Sequence, residues 1–314
     1  MKKLIIAGGS GYLGRTLSTY FQKQGYAIVV LTRHHRLDQQ GIRYVKWDGK
    51  SLGYWVKELE GATALINLNG KSVDCRYTDA NKELIYDTRI DATHVLGEAI
   101  RSLTHPPKVW INAASATIYR HAEYRDMDED TGELGAGFSV DVCKKWEAAF
   151  NQADCGGTRK VILRIAIVLG KHGGALNPLK TLAKLGLGGK QGSGNQYFSW
   201  IHEADFCRIV KFALDNESIE GIYNASAPNP IPNKVVMKEI RKAAKMPIGL
   251  PMPKWLLELG AVMINTETEL ILKSRRVVPK RLLAEGFTFQ YHQFRDALDD
   301  LISITIISPA YPIR

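Results

Sequence analysis

Gly8-Gly9-Ser10-Gly11-Tyr12-Leu13-Gly14 follows directly on the apolar run Leu4-Ile5-Ile6-Ala7. Glycines at this Gly-x-x-Gly-x-x-Gly spacing let the backbone turn tightly and bring a pyrophosphate close to peptide N–H groups. A helix predicted over 15–24 then points its positive end at that anion. A glycine triplet alone is only a flexible turn. Set between a buried-type strand and a helix, it reads as a dinucleotide cradle. Gly8, Ser10, Gly11, Tyr12, Leu13 and Gly14 are therefore candidate cofactor contacts.

The next polar position decides which dinucleotide. An NAD site carries Asp or Glu at the end of the second strand, on the ribose 2′-hydroxyl. Here the second strand reads Tyr26-Ala27-Ile28-Val29-Val30-Leu31 and ends in Thr32-Arg33-His34-His35-Arg36. A carboxylate would repel a 2′-phosphate, whereas a guanidinium binds one through paired, charge-assisted hydrogen bonds. The expectation is NADP(H), with Arg33 as first contact and Arg36 as second.

Bulk properties narrow the class. The 314 residues carry 45% hydrophobic and 24% charged residues, as an ordinary globular chain does. The formal charge of +10 would suit nucleic acid, but the basic residues are dispersed. Their densest groups, 33–36 and 273–276, form no long stripe interleaved with aromatics. A small, anionic substrate is favoured over nucleic acid. Cysteines at 75, 143, 155 and 207 show no C-x-x-C spacing, so neither zinc nor a redox motif is indicated. Their use fits a reducing, cytoplasmic setting. No apolar stretch approaches the length of a membrane span. The Met1-Lys2-Lys3 start resembles a signal peptide only briefly, because Gly8 to Gly14 interrupts the apolar run.

Strand-like segments at 4–7, 28–31, 44–46, 64–68, 108–113 and 160–167 alternate with helical ones at 15–24, 51–59, 81–102 and 140–153. That alternation predicts a doubly wound parallel α/β sheet of Rossmann type. Residues 1–170 form the dinucleotide-binding domain, with 198–225 returning to it. Residues 171–197 and 226–301 form a smaller, mostly helical substrate lobe, and 302–314 a tail. Glycines at 173–174, 186, 188–189, 192 and 194 mark a substrate-side loop. The helix at 81–102 offers a face for a homodimer.

The chain resembles the extended short-chain dehydrogenase/reductase superfamily, and within it the atypical, epimerase-like branch of YfcH or SulA type. The carriers are the glycine turn, Ile66-Asn67-Leu68-Asn69-Gly70, Arg89-Ile90, Gly192 through His202 with its Ser-Trp-Ile-His end, Asn224-Ala225-Ser226-Ala227-Pro228 and Gly286-Phe287-Thr288-Phe289. The resemblance implies that Leu68, Asn69, Gly70 and Val168 also line the cofactor. It makes Ser115 the serine that fixes a substrate oxygen. It also implies a Tyr-x-x-x-Lys pair, in which the Tyr exchanges a proton and the Lys lowers the Tyr pKa. This chain has Ser139 and Cys143 at those two places. A serine hydroxyl is too weak an acid to replace the phenol, and Cys143 reads as a small packing residue. Tyr119 is an alternative acid. Arg89 stands where the superfamily carries Asn, and could bind a substrate carboxylate or phosphate. Arg76, Tyr77 and Lys82 follow the fourth strand, at the active edge of such a sheet. His202 and Asp205 read as structural. Two functions stay open: an NADP(H)-dependent oxidoreductase or epimerase-like enzyme with a non-standard acid, and a non-catalytic NADP(H) sensor.

Overall fold

The computed structural model describes residues 2–263 and 267–302. Strands β1 (Lys3–Ala7), β2 (Ala27–Thr32), β3 (Ile42–Lys46), β4 (Ala64–Asn67), β5 (Val109–Ser115), β6 (Arg159–Ile165) and β10 (Gly221–Ala225) form one sheet, in the order β10-β6-β5-β4-β1-β2-β3. Every pairing in it is parallel. The order reverses between β1 and β4, where Ala7 is in register with Asn67. A doubly wound sheet opens a crevice at such a switch point, beyond the carboxyl ends of its strands.

Strand alternation explains why both faces are covered. Leu4 and Ile6 pack with Leu17 and Phe21 of α1 (Tyr12–Lys23) and with Phe206 and Val210 of α6 (Glu203–Asp215). Ile5 and Ala7 face the other way. They meet Leu59 of α2 (Val56–Leu59), Leu96 of α3 (Asp79–Arg101) and Phe150 of α4 (Phe138–Gln152). The chain is thus a Rossmann-like α/β fold.

Local chemistry moves several boundaries from their predicted places. Helix α1 begins at Tyr12 rather than 15, because the last turn residue, Gly11, is itself the N-cap. The segment 51–59 keeps only α2, because Asp48 Oδ1 accepts from the Lys50 and Ser51 amides and holds that stretch as a turn. After Ala166 the chain leaves the sheet, and β7 (Ile167–Leu169) pairs instead with β9 (Trp200–His202). Strand β10 has no counterpart among the predicted strands, since Gly-Ile-Tyr-Asn-Ala lacks the β-branched run that marks the others.

The C-terminal side carries α5 (Leu176–Leu182), α7 (Asn233–Ala243), α8 (Lys254–Met263), α9 (Glu269–Leu272), α10 (Lys280–Ala284) and α11 (Phe294–Ile302). It also holds the antiparallel pair β8 (Tyr197–Phe198) and β11 (Ile231–Pro232). Its core joins Leu176, Trp200, Val236, Ile240, Phe294 and Leu298. The glycine-rich stretch expected as loop therefore starts with a helix, because Leu176 and Ala183 are fully buried in that core. The tail beyond Ile302 lies outside the described residues.

Candidate functional site

The glycine turn is shaped by its neighbours. Gly8 sits at φ +71°, and a Cβ there would come within 2.7 Å of the Asn69 Cα. A Cβ on Gly14 would overlap the Gly9 backbone, so helix and turn pack at the distance only glycine permits. Gly11 differs. A Cβ there would meet only the Gly8 carbonyl oxygen, at 3.8 Å, so this glycine faces open space. No side chain caps α1, and its first turn holds no acidic residue. Its leading amides are available to an anion.

The other predicted cofactor residues divide. Ser10 lends its carbonyl to Arg15 Nη1 at 2.6 Å. Val168 belongs to the core beside the turn, and Leu13 and Leu68 pack against that core. Asn69 is held by a bond from its Nδ2 to the Thr88 carbonyl at 2.6 Å. Tyr12 turns its ring away, against Gly170, Gly173 and Gly174, where any Cβ would collide with the ring or with the Val168 carbonyl. Its hydroxyl donates to Glu203, and burial, reinforced by that carboxylate, raises its pKa. Tyr12 thus offers backbone to the turn and braces the loop after β7. At the end of β2, Thr32 is buried and Arg33 exposed. Arg33 makes no ion pair or hydrogen bond among the described residues, while Arg36 lies over the Tyr44 ring at 5.9 Å.

A chain of close approaches leads from the turn to a cavity. Gly8 abuts Asn69, and a Cβ on the next residue, Gly70, would lie 2.9 Å from Arg89 Cζ. Arg89 lines a cavity of about 80 Å³ with Tyr77, Ser115, Ser139, Cys143 and Trp146. Ser115 ends β5, and its Oγ accepts from the Thr117 amide at 3.2 Å. Ser139, Cys143 and Trp146 share one face of α4 through helical spacing. Tyr77 precedes α3, and its hydroxyl is 3.3 Å from Ser139 Oγ. Ser139 donates to Glu269 Oε2 at 3.0 Å. Burial raises the Tyr77 pKa, so the phenol stays protonated near neutrality. Burial, and next the Glu147 carboxylate, push the Cys143 thiol up to about 12, which excludes a resting thiolate. Arg89 donates to the Ile85 carbonyl at 3.0 Å and lies over the Trp146 ring at 5.1 Å. Desolvation lowers its pKa, and no carboxylate among the described residues is within ion-pair distance. A larger groove of about 290 Å³ between Tyr20, Lys211, Asp215 and Phe287 is a solvent-open trough that none of these groups reaches.

The structure does not bring Tyr119 to the cavity. It is fully buried, donating to Asn224 Oδ1 at 3.0 Å and accepting from Arg164 Nη1 at 2.9 Å. Arg164 in turn forms a fork on Glu147, with both bonds at 2.8 Å. As an alternative acid Tyr119 is corrected to a structural group, because its proton is committed inside the core. Sequence reasoning missed Glu269 and Arg275. Arg275 is buried, 3.8 Å from Glu269 Oε1, and its Nε and Nη2 have no hydrogen-bond partner among the described residues. The dense basic group at 273–276 was the available signal. No metal-holding cluster occurs among the described residues.

Residues 4–226 match the model of the NAD dependent epimerase/dehydratase family. The chain belongs to this family. Residues 252–301 match a domain of unknown function (DUF1731), which takes in Glu269 and Arg275. Epimerase family protein SAR0825 of Staphylococcus aureus (strain MRSA252) is 33% identical over 304 residues, covering 96% of this chain and 100% of that protein. Epimerase family protein YfhF of Bacillus subtilis (strain 168) is 32% identical over 304 residues, covering 96% and 98%. Among solved structures, human epimerase family protein SDR39U1 (isoform 2) with NADPH superposes with a TM-score of 0.85 at 27% identity, covering 96% of this chain and 99% of that one. In this epimerase-family chain, the family match spans the glycine turn and every α3, α4 and β5 residue named at the cavity.

Proposed function

We propose that this chain binds NADP(H) at the glycine turn and acts as an oxidoreductase on a compact substrate in the adjoining cavity. The observation that carries the reading is the contact path Gly8 to Asn69 and Gly70 to Arg89, which sets the cavity beside the turn. The open space over Gly11 and the uncapped start of α1 fit a pyrophosphate. Arg33, exposed and without a partner among the described residues, fits a 2′-phosphate. NADPH in the human relative supports the same choice. When bound, the nicotinamide supplies or accepts a hydride.

The chain's own residues do the rest. Ser115 holds a substrate carbonyl oxygen. Tyr77 donates a hydrogen bond, and then its proton, to charge developing on that oxygen. Before substrate arrives Ser139 accepts the Tyr77 hydroxyl and donates to Glu269; substrate turns the Tyr77 O–H from Ser139 onto its own oxygen, with Ser139 still held by Glu269. Trp146 and Phe138 keep that side of the cavity dry. The finer placement, in the YfcH or SulA-type branch, rests on the Ser-Trp-Ile-His stretch at 199–202. Four free cysteines support a reducing, cytosolic setting.

A second reading, a non-catalytic NADP(H) reporter, is favoured by Ser139 and Cys143 at the places of the superfamily's Tyr and Lys. Titration of the chain with NADPH and NADH, followed by a screen for NADPH consumption on compact carbonyl compounds, separates the two. Tight NADPH binding with turnover lost in Tyr77→Phe supports the oxidoreductase. Tight binding without turnover on any compound supports the reporter, and equal binding of both cofactors refutes the assignment.

A further inference from the structure

We infer that the substrate carries a compact oxyanion, a carboxylate or a phosphoryl group, bound between Arg89 and Arg275 beside Cys143. The inference deepens the proposed oxidoreductase reading by naming its substrate class. Two observations carry it, one of charge and one of space.

A guanidinium taken out of water needs a counter-charge and partners for its N–H groups. Arg89 lines the cavity, yet among the described residues its one hydrogen bond is to the Ile85 carbonyl. Arg275 is 8% exposed, and its Nε and Nη2 are buried without a hydrogen-bond partner among the described residues. The carboxylate within ion-pair distance of Arg275 is Glu269, at 3.8 Å. That carboxylate is already shared, with Lys273 Nζ at 3.3 Å and Ser139 Oγ at 3.0 Å. Other arginines nearby are satisfied: Arg164 by Glu147, and Arg76 by Glu267. Arg275 Nη2 lies 3.8 Å from Glu269 Oε1, and Glu269 Oε2 accepts from Ser139 at 3.0 Å, so Arg275 stands one side chain from the cavity wall that Ser139 and Arg89 line. Positive charge there exceeds negative, and fork-shaped donors are left over. A planar or tetrahedral oxyanion supplies what is missing.

Space sets the size. One water needs about 10–15 Å³ of such space, so the cavity of about 80 Å³ takes a group of several heavy atoms, the size of a carboxylate or phosphoryl group with its neighbours. Cys143 contributes to this by being small and uncharged. A lysine at that place would add a third cation and fill the room.

The test is calorimetric titration of the full chain with pyruvate, with inorganic phosphate and with neutral methyl pyruvate, each with and without saturating NADPH. Pyruvate or phosphate should bind, and the ester should bind at least about tenfold more weakly than the acid. The tighter of the two anions identifies carboxylate or phosphoryl. Arg89→Gln and Arg275→Gln should each weaken the anion about tenfold or more while NADPH affinity stays within about threefold. If Arg275→Gln does not fold, Arg89→Gln and the acid–ester comparison still decide. The inference is overturned if neither anion binds the wild type, if the ester binds as tightly as pyruvate, or if Arg89→Gln or a folded Arg275→Gln binds the anion unchanged. The titration without NADPH keeps it separable: failure of NADPH binding alone strikes the cofactor assignment and not the anion site.

Discussion

Tyr77 and Ser139 meet hydroxyl to hydroxyl at 3.3 Å, and Ser139 commits its own proton to Glu269 Oε2 at 3.0 Å. Ser139 has one proton, so in this arrangement Tyr77 is the donor of the pair. The relay ties a phenol of the sheet domain to a carboxylate of the C-terminal helices. Tyr77→Phe keeps the ring's packing on Phe138 and removes the donor. Turnover on the best compact carbonyl substrate should fall by about 10²-fold or more, with NADPH affinity unchanged. Steady-state NADPH consumption checks this. An unaltered kcat would remove Tyr77 from the proton path.

The proposed preference for NADPH turns on Arg33. Arg33→Ala should weaken NADPH by about 1.5–3 kcal/mol, the worth of a hydrogen bond to a charged group, and leave NADH nearly unchanged. Fluorescence titration of both cofactors gives the two affinities. A parallel loss of both would assign Arg33 to the pyrophosphate instead.

Two glycines of one turn should fail in different ways. Gly11 has φ −75°, which any residue adopts, and open space beyond it. Gly11→Val should fold normally by circular dichroism and lose both cofactors. Gly14→Ala forces a methyl group into the Gly9 backbone, so it should cost about 1–3 kcal/mol of stability by overpacking. Urea unfolding distinguishes them, and a stable Gly14→Ala protein would contradict the packing.

Glu147 and Arg164 are a buried, two-bond pair behind the cavity. Glu147→Gln leaves the Arg164 charge unpaired in the core and should cost about 3–5 kcal/mol. Tyr119→Phe removes one neutral partner of the same network and should cost about 1 kcal/mol, without lowering kcat. A fall in kcat for Tyr119→Phe at full stability would restore it as a catalytic group.

His202 should give the chain an acid-sensitive stability. It is buried, stacked on Tyr291 with centroids 3.8 Å apart, and its Nδ1 caps α6 by accepting the Ala204 amide at 3.0 Å. Burial lowers its pKa below the ordinary 6.5, against the opposing pull of Asp300, Glu203 and Asp205. The unfolded chain therefore takes up a proton that the folded chain refuses. Stability from this group is complete above 6.5 and declines as the pH falls below it, by at most about 1.4 kcal/mol per unit. His202→Asn keeps a capping side chain and should flatten that decline in urea midpoints measured from neutral to mildly acidic pH. An unchanged slope would assign the acid sensitivity to other groups.

Much of the fold was legible because its signals are local. Apolar runs at 4–7, 28–31 and 64–68 and the glycine turn each depend on a few adjacent residues. They appear as β1, β2, β4 and the start of α1. Strand β10 was not among the predicted strands, since its place beside β6 comes from pairing across the chain rather than from its own composition. The NADP(H) expectation was also local, resting on Arg33 next to Thr32, and it agrees with NADPH in the human relative.

By itself the sequence determined the parallel α/β class and the glycine turn at Gly8 to Gly14. These are properties of residue type at fixed short spacing. Tertiary structure alone decided which polar groups face one another. Ser115 and Tyr119 are four residues apart, yet one ends a strand at the cavity while the other gives its proton to Asn224, 105 positions away. Glu269, from a C-terminal helix, comes to join Ser139 of α4, 130 positions away, to Arg275. Burial and hydrogen-bond partnership are set by chain-distant neighbours. They decide whether a phenol is an acid or a strut, and whether an arginine is a surface charge or an anion clamp.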